Sequence, residues 1–312
     1  MLLVENLSKG YDERLVVKDL NLSIKKGESF GLLGPNGAGK STVISIISGL
    51  FSPNEGSVTV GGIDMLKNTK KAQQLIGVVP QEIALYPTMS AKENLMFWGR
   101  MYGLRGTQLQ NRLNETLEII GLTDRAKDKI NEFSGGMKRR VNIGASILHN
   151  PQLLIMDEPT VGIDPQSRNH ILETVKLLND DGMTIIYTSH YMEEVQLLCE
   201  RIGIMDHGQL IACGTIKELV DVVGNKTSAV LALKESIIER EKLESFLENR
   251  FPKSLVQVKE QEIIAFDREP QKILSDLIQA TTEYGAKIAT VEMLEPNLES
   301  VFLHLTGRNL RD

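Results

Sequence analysis

Two short stretches of the chain hold the residue types that handle a triphosphate. Gly34-Pro35-Asn36-Gly37-Ala38-Gly39-Lys40-Ser41 fits the spacing GxxxxGK[ST]. In that pattern glycines let backbone N–H groups turn inward around a β-phosphate, the lysine reaches the β and γ oxygens, and the serine offers a hydroxyl to Mg²⁺. A helix beginning at the same place adds a dipole contribution of about 0.3–2 kcal/mol, so tight binding needs many such donors together with the lysine and the metal. Alone, the loop indicates a nucleoside triphosphate and does not separate a kinase from a GTPase or a motor. The second stretch, Leu153-Leu154-Ile155-Met156-Asp157-Glu158, ends four apolar residues in two acids. Asp157 suits Mg²⁺ held through its water shell, and Glu158 suits a group that orients, or takes a proton from, a water attacking a γ-phosphorus. Without the loop upstream, the two acids could as well form an exposed turn.

The neighbouring elements must hold these groups in place. Ser29 to Leu33 is a compact apolar run ahead of the loop, and Ser41 to Leu50 places apolar residues at helical spacing, which predicts strand, loop and helix in that order. Further apolar runs at Ile76 to Val79, Leu153 to Met156 and Thr184 to Tyr187 predict strands buried on both faces, hence a parallel α/β sheet. Alternation in Leu2 to Leu7 and Leu20 to Ile24 predicts short antiparallel strands near the start. Asp164-Pro165 reads as a helix cap and first helical position, followed by Ile171, Val175 and Leu178 on one face. Ala91 to Tyr102 and Gln108 to Ile120 are helical with no strand candidate between them, so residues from about 82 to 145 are expected to form a helical subdomain. The first domain is expected to span residues 1–224, with its boundary near Gly224-Asn225-Lys226, and an accessory domain to span 225–312. That second part reads as strand, helix, strand, strand, helix, strand, the ferredoxin-like order, closed by a helix from Leu298 to Leu305.

Composition narrows the function classes. The 312 residues are 41% hydrophobic and 24% charged with a formal net charge of −6, which disfavours a nucleic-acid-coating surface. No apolar run approaches the roughly 18 residues needed to span a bilayer, and the opening Met1 to Asn6 lacks a basic region followed by an apolar stretch. The expectation is a chain that neither crosses a membrane nor is secreted. Cys199 and Cys213 stand far apart without CxxC spacing, and both are expected to be buried apolar groups in a reducing compartment rather than a disulfide or zinc ligands.

The discriminating segment is Phe133-Ser134-Gly135-Gly136-Met137, followed by a helix pattern from Lys138 to Leu148. It resembles the signature motif of ABC transporter ATPases, and its distance ahead of Asp157-Glu158 suits that family. The physical sense is an anion site, with Ser134 and the Gly135 and Gly136 N–H groups at a helix N-terminus. The resemblance covers about residues 1 to 220. It implies an ABC ATPase domain of the P-loop NTPase fold, α/β with antiparallel β and helical subdomains, followed by the small ferredoxin-like α+β domain. It implies that residues Gly34 to Thr42 bind ATP, that Tyr11 stacks on adenine, and that Gln81 touches Mg²⁺ and the attacking water. It further implies that Asp164 runs across a dimer interface, that His190 contacts the γ-phosphate, and that Ser134, Gly135 and Gly136 grip a γ-phosphate bound to the other subunit. Met137 stands where many relatives have glutamine and cannot donate that side chain's hydrogen bond; the backbone donors are unaffected. Lys138-Arg139-Arg140 reads as a solvated first turn, and Phe97, Trp98, Met101 and Tyr102 as packing within the helical subdomain.

The segment Glu295-Pro296-Asn297-Leu298 through Thr306-Gly307 resembles the end of ATPase subunits from ABC-2 type exporters for drugs and antibiotics, with linearmycin-resistance ATPases as the nearest likeness. The resemblance implies a homodimer closing on two ATP molecules with Mg²⁺, a polytopic membrane permease as partner, no nucleic acid, and a peripheral place on the cytoplasmic face of the membrane. Other ABC systems stay open at this point, whether ion or polysaccharide export, or import. A soluble ABC ATPase would need a long coiled-coil insertion or a second cassette, and a sensing adaptor would have no use for Glu158 and His190. Lys40→Ala is expected to weaken ATP binding itself; parent affinity for MgATP in a binding titration would overturn the phosphate-loop reading.

Overall fold

The computed structural model describes residues 1–12, 14–222, 227–237, 239–252, 254–267, 270–294 and 297–307. Gly224, Asn225 and Lys226 of the expected boundary, and Glu295 and Pro296 of the tail segment, lie outside the described residues. Two compact units divide between Thr215 and Ile216.

The first unit opens with β1 (Leu2–Tyr11), β2 (Arg14–Ile24), β3 (Ser29–Leu33), α1 (Lys40–Ile47), β4 (Glu55–Val60), β5 (Ile63–Asp64), α2 (Thr69–Gln73) and β6 (Ile76–Val79). It continues through α3 (Ala91–Met101), α4 (Gly106–Ile119), α5 (Gly135–Ile147), β7 (Leu153–Asp157), α6 (Pro165–Asp180), β8 (Thr184–Thr188), α7 (Met192–Leu198), β9 (Arg201–Asp206) and β10 (Gln209–Gly214). A six-stranded sheet runs in the order β10-β9-β3-β8-β7-β6, parallel apart from β10. A second, antiparallel sheet runs β2-β1-β4-β5. Every residue of β3 and β8 is buried, as continuous apolar strands covered on both faces require. Phe30, Leu32, Val43, Ile47, Leu153, Ile155 and Ile186 share one core with Leu2, Val4, Leu22 and Val58 of the antiparallel sheet. The sequence pattern gave no sign of β9 and β10, which extend the parallel sheet beyond β3.

The stretch between β6 and β7 has its own core, in which Leu95 of α3, Leu113 of α4 and Val141 of α5 meet. Its entry is tightly specified. Ser90 and Glu93 form a capping box at the start of α3. Asn94 accepts from the Tyr86 N–H at 2.8 Å and donates to the Tyr86 and Ser90 carbonyls, fixing the turn that leads from Gln81 into the helices. Met101 departs from the expected packing: it is 68% exposed. Cys213 also departs, being exposed on the edge strand β10, whereas Cys199 is buried and its thiol is pushed up to about 12.

The second unit holds α8 (Ile216–Val222), β11 (Thr227–Leu233), α9 (Arg240–Arg250), β12 (Leu255–Val258), β13 (Glu262–Asp267), α10 (Pro270–Glu283), β14 (Ile288–Leu294) and α11 (Leu298–Thr306). Its sheet is antiparallel in the order β12-β13-β11-β14, the ferredoxin-like arrangement expected from the sequence. Strand alternation sorts the faces. Leu231, Ile263 and Ala265 pack against Leu243 and Leu247 of α9 and Leu277 of α10, while Ile264 and Phe266 meet Leu303 of α11. Among the described residues no helix is long and apolar enough to cross a membrane.

Candidate active site

Four parallel strands in the spatial order β3, β8, β7, β6 end on one edge of the sheet, where ligands bind in such folds. Each delivers one group. The glycine-rich loop follows β3, His190 follows β8, Glu158 follows β7 and Gln81 follows β6. Residues 36–42, Gln81, Glu158 and His190, joined by Val16, line one cavity of about 420 Å³.

The loop needs its glycines for two separate reasons. A Cβ on Gly34 would lie 2.5 Å from the Met205 carbonyl oxygen, and Gly39, which caps α1, has φ +102°, a backbone state that L side chains rarely adopt. Lys40 is buried, and its Nζ donates to the Gly34 and Pro35 carbonyls at 2.5 and 3.2 Å. Burial lowers the pKa of this ammonium, against the opposing pull of Glu158 and Asp157.

Glu158 is the meeting point. His190 Nε2 lies 2.6 Å from its Oε1, and Gln81 Nε2 donates to its Oε2 at 3.1 Å. An ionised carboxylate only accepts, so the His190 proton on that side sits on Nε2. Glu158 has φ +49°, and its N–H is held by the hydroxyl and the carbonyl of Thr188 at 3.0 and 3.2 Å. The same Thr188 hydroxyl donates to Asp157 Oδ1 at 2.7 Å. For Mg²⁺ the donors at hand are hard oxygens: the Ser41 hydroxyl, the Asp157 carboxylate and the amide oxygen of Gln81. Among the described residues no cluster of three His, Cys, Asp or Glu side chains could hold a metal by itself. Such a sparse set fits an ion that keeps several waters and shares the phosphates, as Mg²⁺ does.

The remaining expected residues lie outside the cavity lining. Ser134 caps α5 by accepting from the Met137 N–H at 3.2 Å; it and Gly135 are exposed, and no acid occupies the first turn to neutralise that helix end. Asp164 caps α6 through the Ser167 N–H at 2.9 Å, with Pro165 at the first helical position, and that hydrogen bond holds its carboxyl below the usual range. Tyr11 is 44% exposed at the end of β1, edge-on to Phe51 at 6.4 Å between centroids.

Comparison with known proteins agrees with this geometry. Residues 17–161 match the family model described as ABC transporter. Over the full length of both chains the protein is 55% identical to the linearmycin resistance ATP-binding protein LnrL of Bacillus subtilis. It is 36% identical to the Nod factor export ATP-binding protein I of Ralstonia nicotianae, covering all of this chain and 95% of that one. Among solved structures, the dimeric post-hydrolysis ATP-binding cassette MJ0796 with ADP and Pi is similar at TM-score 0.63 and 30% identity, covering 69% of this chain and 98% of that one. The chain belongs to the ABC transporter ATPase family. It is therefore an ATP-binding hydrolase on the P-loop NTPase fold.

In this ABC ATPase one group near the site contradicts its reading from sequence. Lys138-Arg139-Arg140 is not a solvated turn. Arg139 is only 4% exposed, and its two terminal nitrogens donate to the Pro80 and Gln81 carbonyls at 2.6 and 2.5 Å. Arg140 donates to the Ile120 and Gly121 carbonyls. The first turns of α5 thus clamp the Gln81 segment, with Asn142 adding a bond from the Ala84 N–H. No local pattern signals this, because the partners are about sixty residues away in sequence. Arg139→Met should remove both donors at a cost of about 1–3 kcal/mol and speed amide hydrogen exchange across residues 81–85. Arg139→Lys should not restore protection, since an ammonium lacks the planar fork that spans two carbonyls. Unchanged exchange in both variants would refute the clamp.

Proposed function

We propose that this chain is the motor subunit of an exporter, two copies closing head to tail on two ATP molecules and driving a separate membrane permease that expels a drug, antibiotic or lipid-like compound. One observation carries the reading: residues 36–42, Gln81, Glu158 and His190 converge on one cavity while Ser134, Gly135 and Gly136 stand outside its lining. An exposed helix N-terminus without acids suits a phosphate bound to a second copy. The dimeric form of MJ0796 supports that pairing, and the names of the relatives, linearmycin resistance and Nod factor export, support export as the direction.

On this reading the inward N–H groups of residues 36–42 cradle the phosphates, and Lys40 exchanges its two carbonyl partners for β- and γ-phosphate oxygens. Ser41, Asp157 and Gln81 would hold Mg²⁺, which when bound would supply positive charge against that developing on the phosphate. Glu158 orients the attacking water and takes its proton, and Gln81 and His190, already in contact with Glu158, place that water and the γ-phosphate relative to it. Tyr11 offers its exposed ring to adenine. Asp164 faces the partner copy, whose Ser134-headed helix completes the site. Loss of the γ-phosphate removes the group that joined the two halves, and the dimer opens.

Contact with the permease is assigned to a groove of about 180 Å³ lined by Val78, Pro80, Ala84, Trp98, Tyr102 and Asn142. Trp98 Nε1 is buried there without a hydrogen-bond partner, so a short helix with an acceptor group would satisfy it. The groove adjoins the segment that carries Gln81, which would connect docking to the hydrolytic site. The second unit is assigned to dimerisation or restraint of the motor, and the protein to the membrane surface through its permease.

Glu158→Gln should leave ATP binding intact and trap an ATP-loaded dimer detectable by size-exclusion chromatography; hydrolysis at the parent rate would overturn the catalytic assignment. In the assembled transporter, photo-crosslinkers at Tyr102 and Ala84 should capture the permease. Crosslinks confined to the second unit would contradict the docking groove.

A further inference from the structure

The phosphate site uses Gln81, Asp157, Glu158 and His190 but leaves a buried carboxylate beside them without a role. Glu194, on α7, is 3% exposed. Its Oε2 accepts three hydroxyl hydrogen bonds, from Thr160 at 2.8 Å, Tyr187 at 2.9 Å and Ser189 at 2.7 Å. These donors come from two segments: Thr160 lies two residues after Glu158, while Tyr187 lies on β8 and Ser189 directly follows that strand and precedes His190. One carboxylate oxygen therefore ties together the stretches that carry the acid and the histidine of the site.

The other oxygen is the anomaly. Glu194 Oε1 is buried with no hydrogen-bond partner, and it faces Arg168 Nε, likewise buried and unpartnered, at 3.6 Å. At that separation no hydrogen bond exists, although the two groups carry opposite charge, and a shift of roughly 0.6 Å would form one. Arg168 is steadied on its other side by the ring of Tyr191, 4.2 Å from the guanidinium carbon. Arg168 also directly follows Ser167 in the first turn of α6. Ser167 donates its N–H to Asp164, and a Cβ on Gly136 would fall 2.2 Å from the Ser167 side chain. The N-terminal end of α5 is therefore pressed on the turn that carries Arg168. Packed groups run without a break from Gly136 through Ser167, Arg168, Glu194 and Ser189 to His190 and Glu158.

We propose that Arg168 and Glu194 are positioning residues for hydrolysis. Seating the Ser134-headed end of α5 on a partner's triphosphate moves the first turn of α6, closes the Arg168–Glu194 pair and, through Ser189, holds His190 in the contact it already makes with Glu158. Each copy's grip on its partner's nucleotide is thereby linked to its own hydrolytic site. The inference rests on the roles proposed above for Glu158, His190 and the Ser134–Gly136 segment.

The test uses the purified full chain with MgATP and compares Arg168→Met, Arg168→Lys, Glu194→Gln and the Met/Gln double variant. Arg168→Met keeps a long unbranched side chain at a half-buried position in the first turn of α6, and Tm reports whether the variant folds. Both single variants should lower kcat about tenfold or more while the ATP Kd from equilibrium dialysis stays within about twofold and Tm is unchanged. The double variant should be no slower than the slower single, and Arg168→Lys should recover part of the loss, because the two groups act as one unit. Parent kcat in Arg168→Met, multiplying losses in the double variant, or a kcat loss matched by weaker ATP binding or a lower Tm would each overturn the proposal. Glu158→Gln assayed alongside separates the two readings. Turnover lost there but kept in Arg168→Met removes the positioning pair alone, and turnover kept in Glu158→Gln removes the site assignment beneath it.

Discussion

The hydroxyl of Thr188 is the interaction on which the site depends. It donates to the carboxylate of Asp157 and accepts from the N–H of Glu158, so one side chain on β8 fixes both acids at the end of β7. The second of those bonds is needed because Glu158 holds a left-handed backbone that costs a non-glycine residue on the order of 1–3 kcal/mol. Hydrogen bonds of about 0.5–1.5 kcal/mol each, made in a buried setting, are enough to hold it there. The arrangement exists only because Asp157 pairs with Thr188 in the parallel register of β7 and β8. A slip of one residue would put a β-branched hydroxyl on the wrong face and release both acids.

What could be read from the sequence follows from how far the relevant contacts reach. The glycine-rich loop, the acid pair and the Asp164-Pro165 cap are local, so their residues declare them. The buried strands declare themselves by composition, since β3, β7 and β8 are covered on both faces and carry unbroken apolar runs. The second unit was legible for the complementary reason: its strands have one face on α9 and α10 and another toward α11, and the alternation survives in Val230-Leu231 and Ile263-Ile264-Ala265-Phe266. Arg139 and Glu194 were not legible. A charged residue in a helix pattern reads as solvated unless its partners are known, and here they are carbonyls and hydroxyls far away or in different segments. Strand β9 and the edge strand β10 are not legible because Arg201, Gly203, Asp206 and Gly208 interrupt the apolar pattern, although Gly203 is small for a reason, with Phe30 occupying the space a Cβ would take.

Buried polar residues help tie the helical subdomain to the sheet, alongside the close approach of α5 to β6 at Ser146 and Gly77. Its own apolar core, around Leu95, Leu113 and Val141, is a separate cluster from the one beneath the phosphate loop. Charge-assisted bonds from Arg139 to the Pro80 and Gln81 carbonyls, and the bond that Asn142 accepts from the Ala84 N–H, tie α5 to the Gln81 segment. Directional bonds of this kind fix an orientation while leaving it changeable, where a continuous apolar interface would lock it. On the proposed reading the subdomain responds to nucleotide on one side and to a membrane partner on the other, and a joint of this kind suits it.

The anion chemistry also sets a limit on what a single copy can do. With a formal net charge of −6 the chain offers no long-range attraction to a triphosphate, so affinity must come from local donors: Lys40, the N–H groups of the loop, and helix ends. A helix end contributes only about 0.3–2 kcal/mol when solvated, and the α5 terminus is exposed, with part of its donor capacity already spent on the Ser134 cap. The same donors strengthen when water is excluded, because the Coulomb term grows as the local dielectric falls. Closing one copy on another is the step that would exclude it. On the proposed reading, dimer closure is then not an addition to ATP binding but the condition under which weak, exposed donors become a clamp.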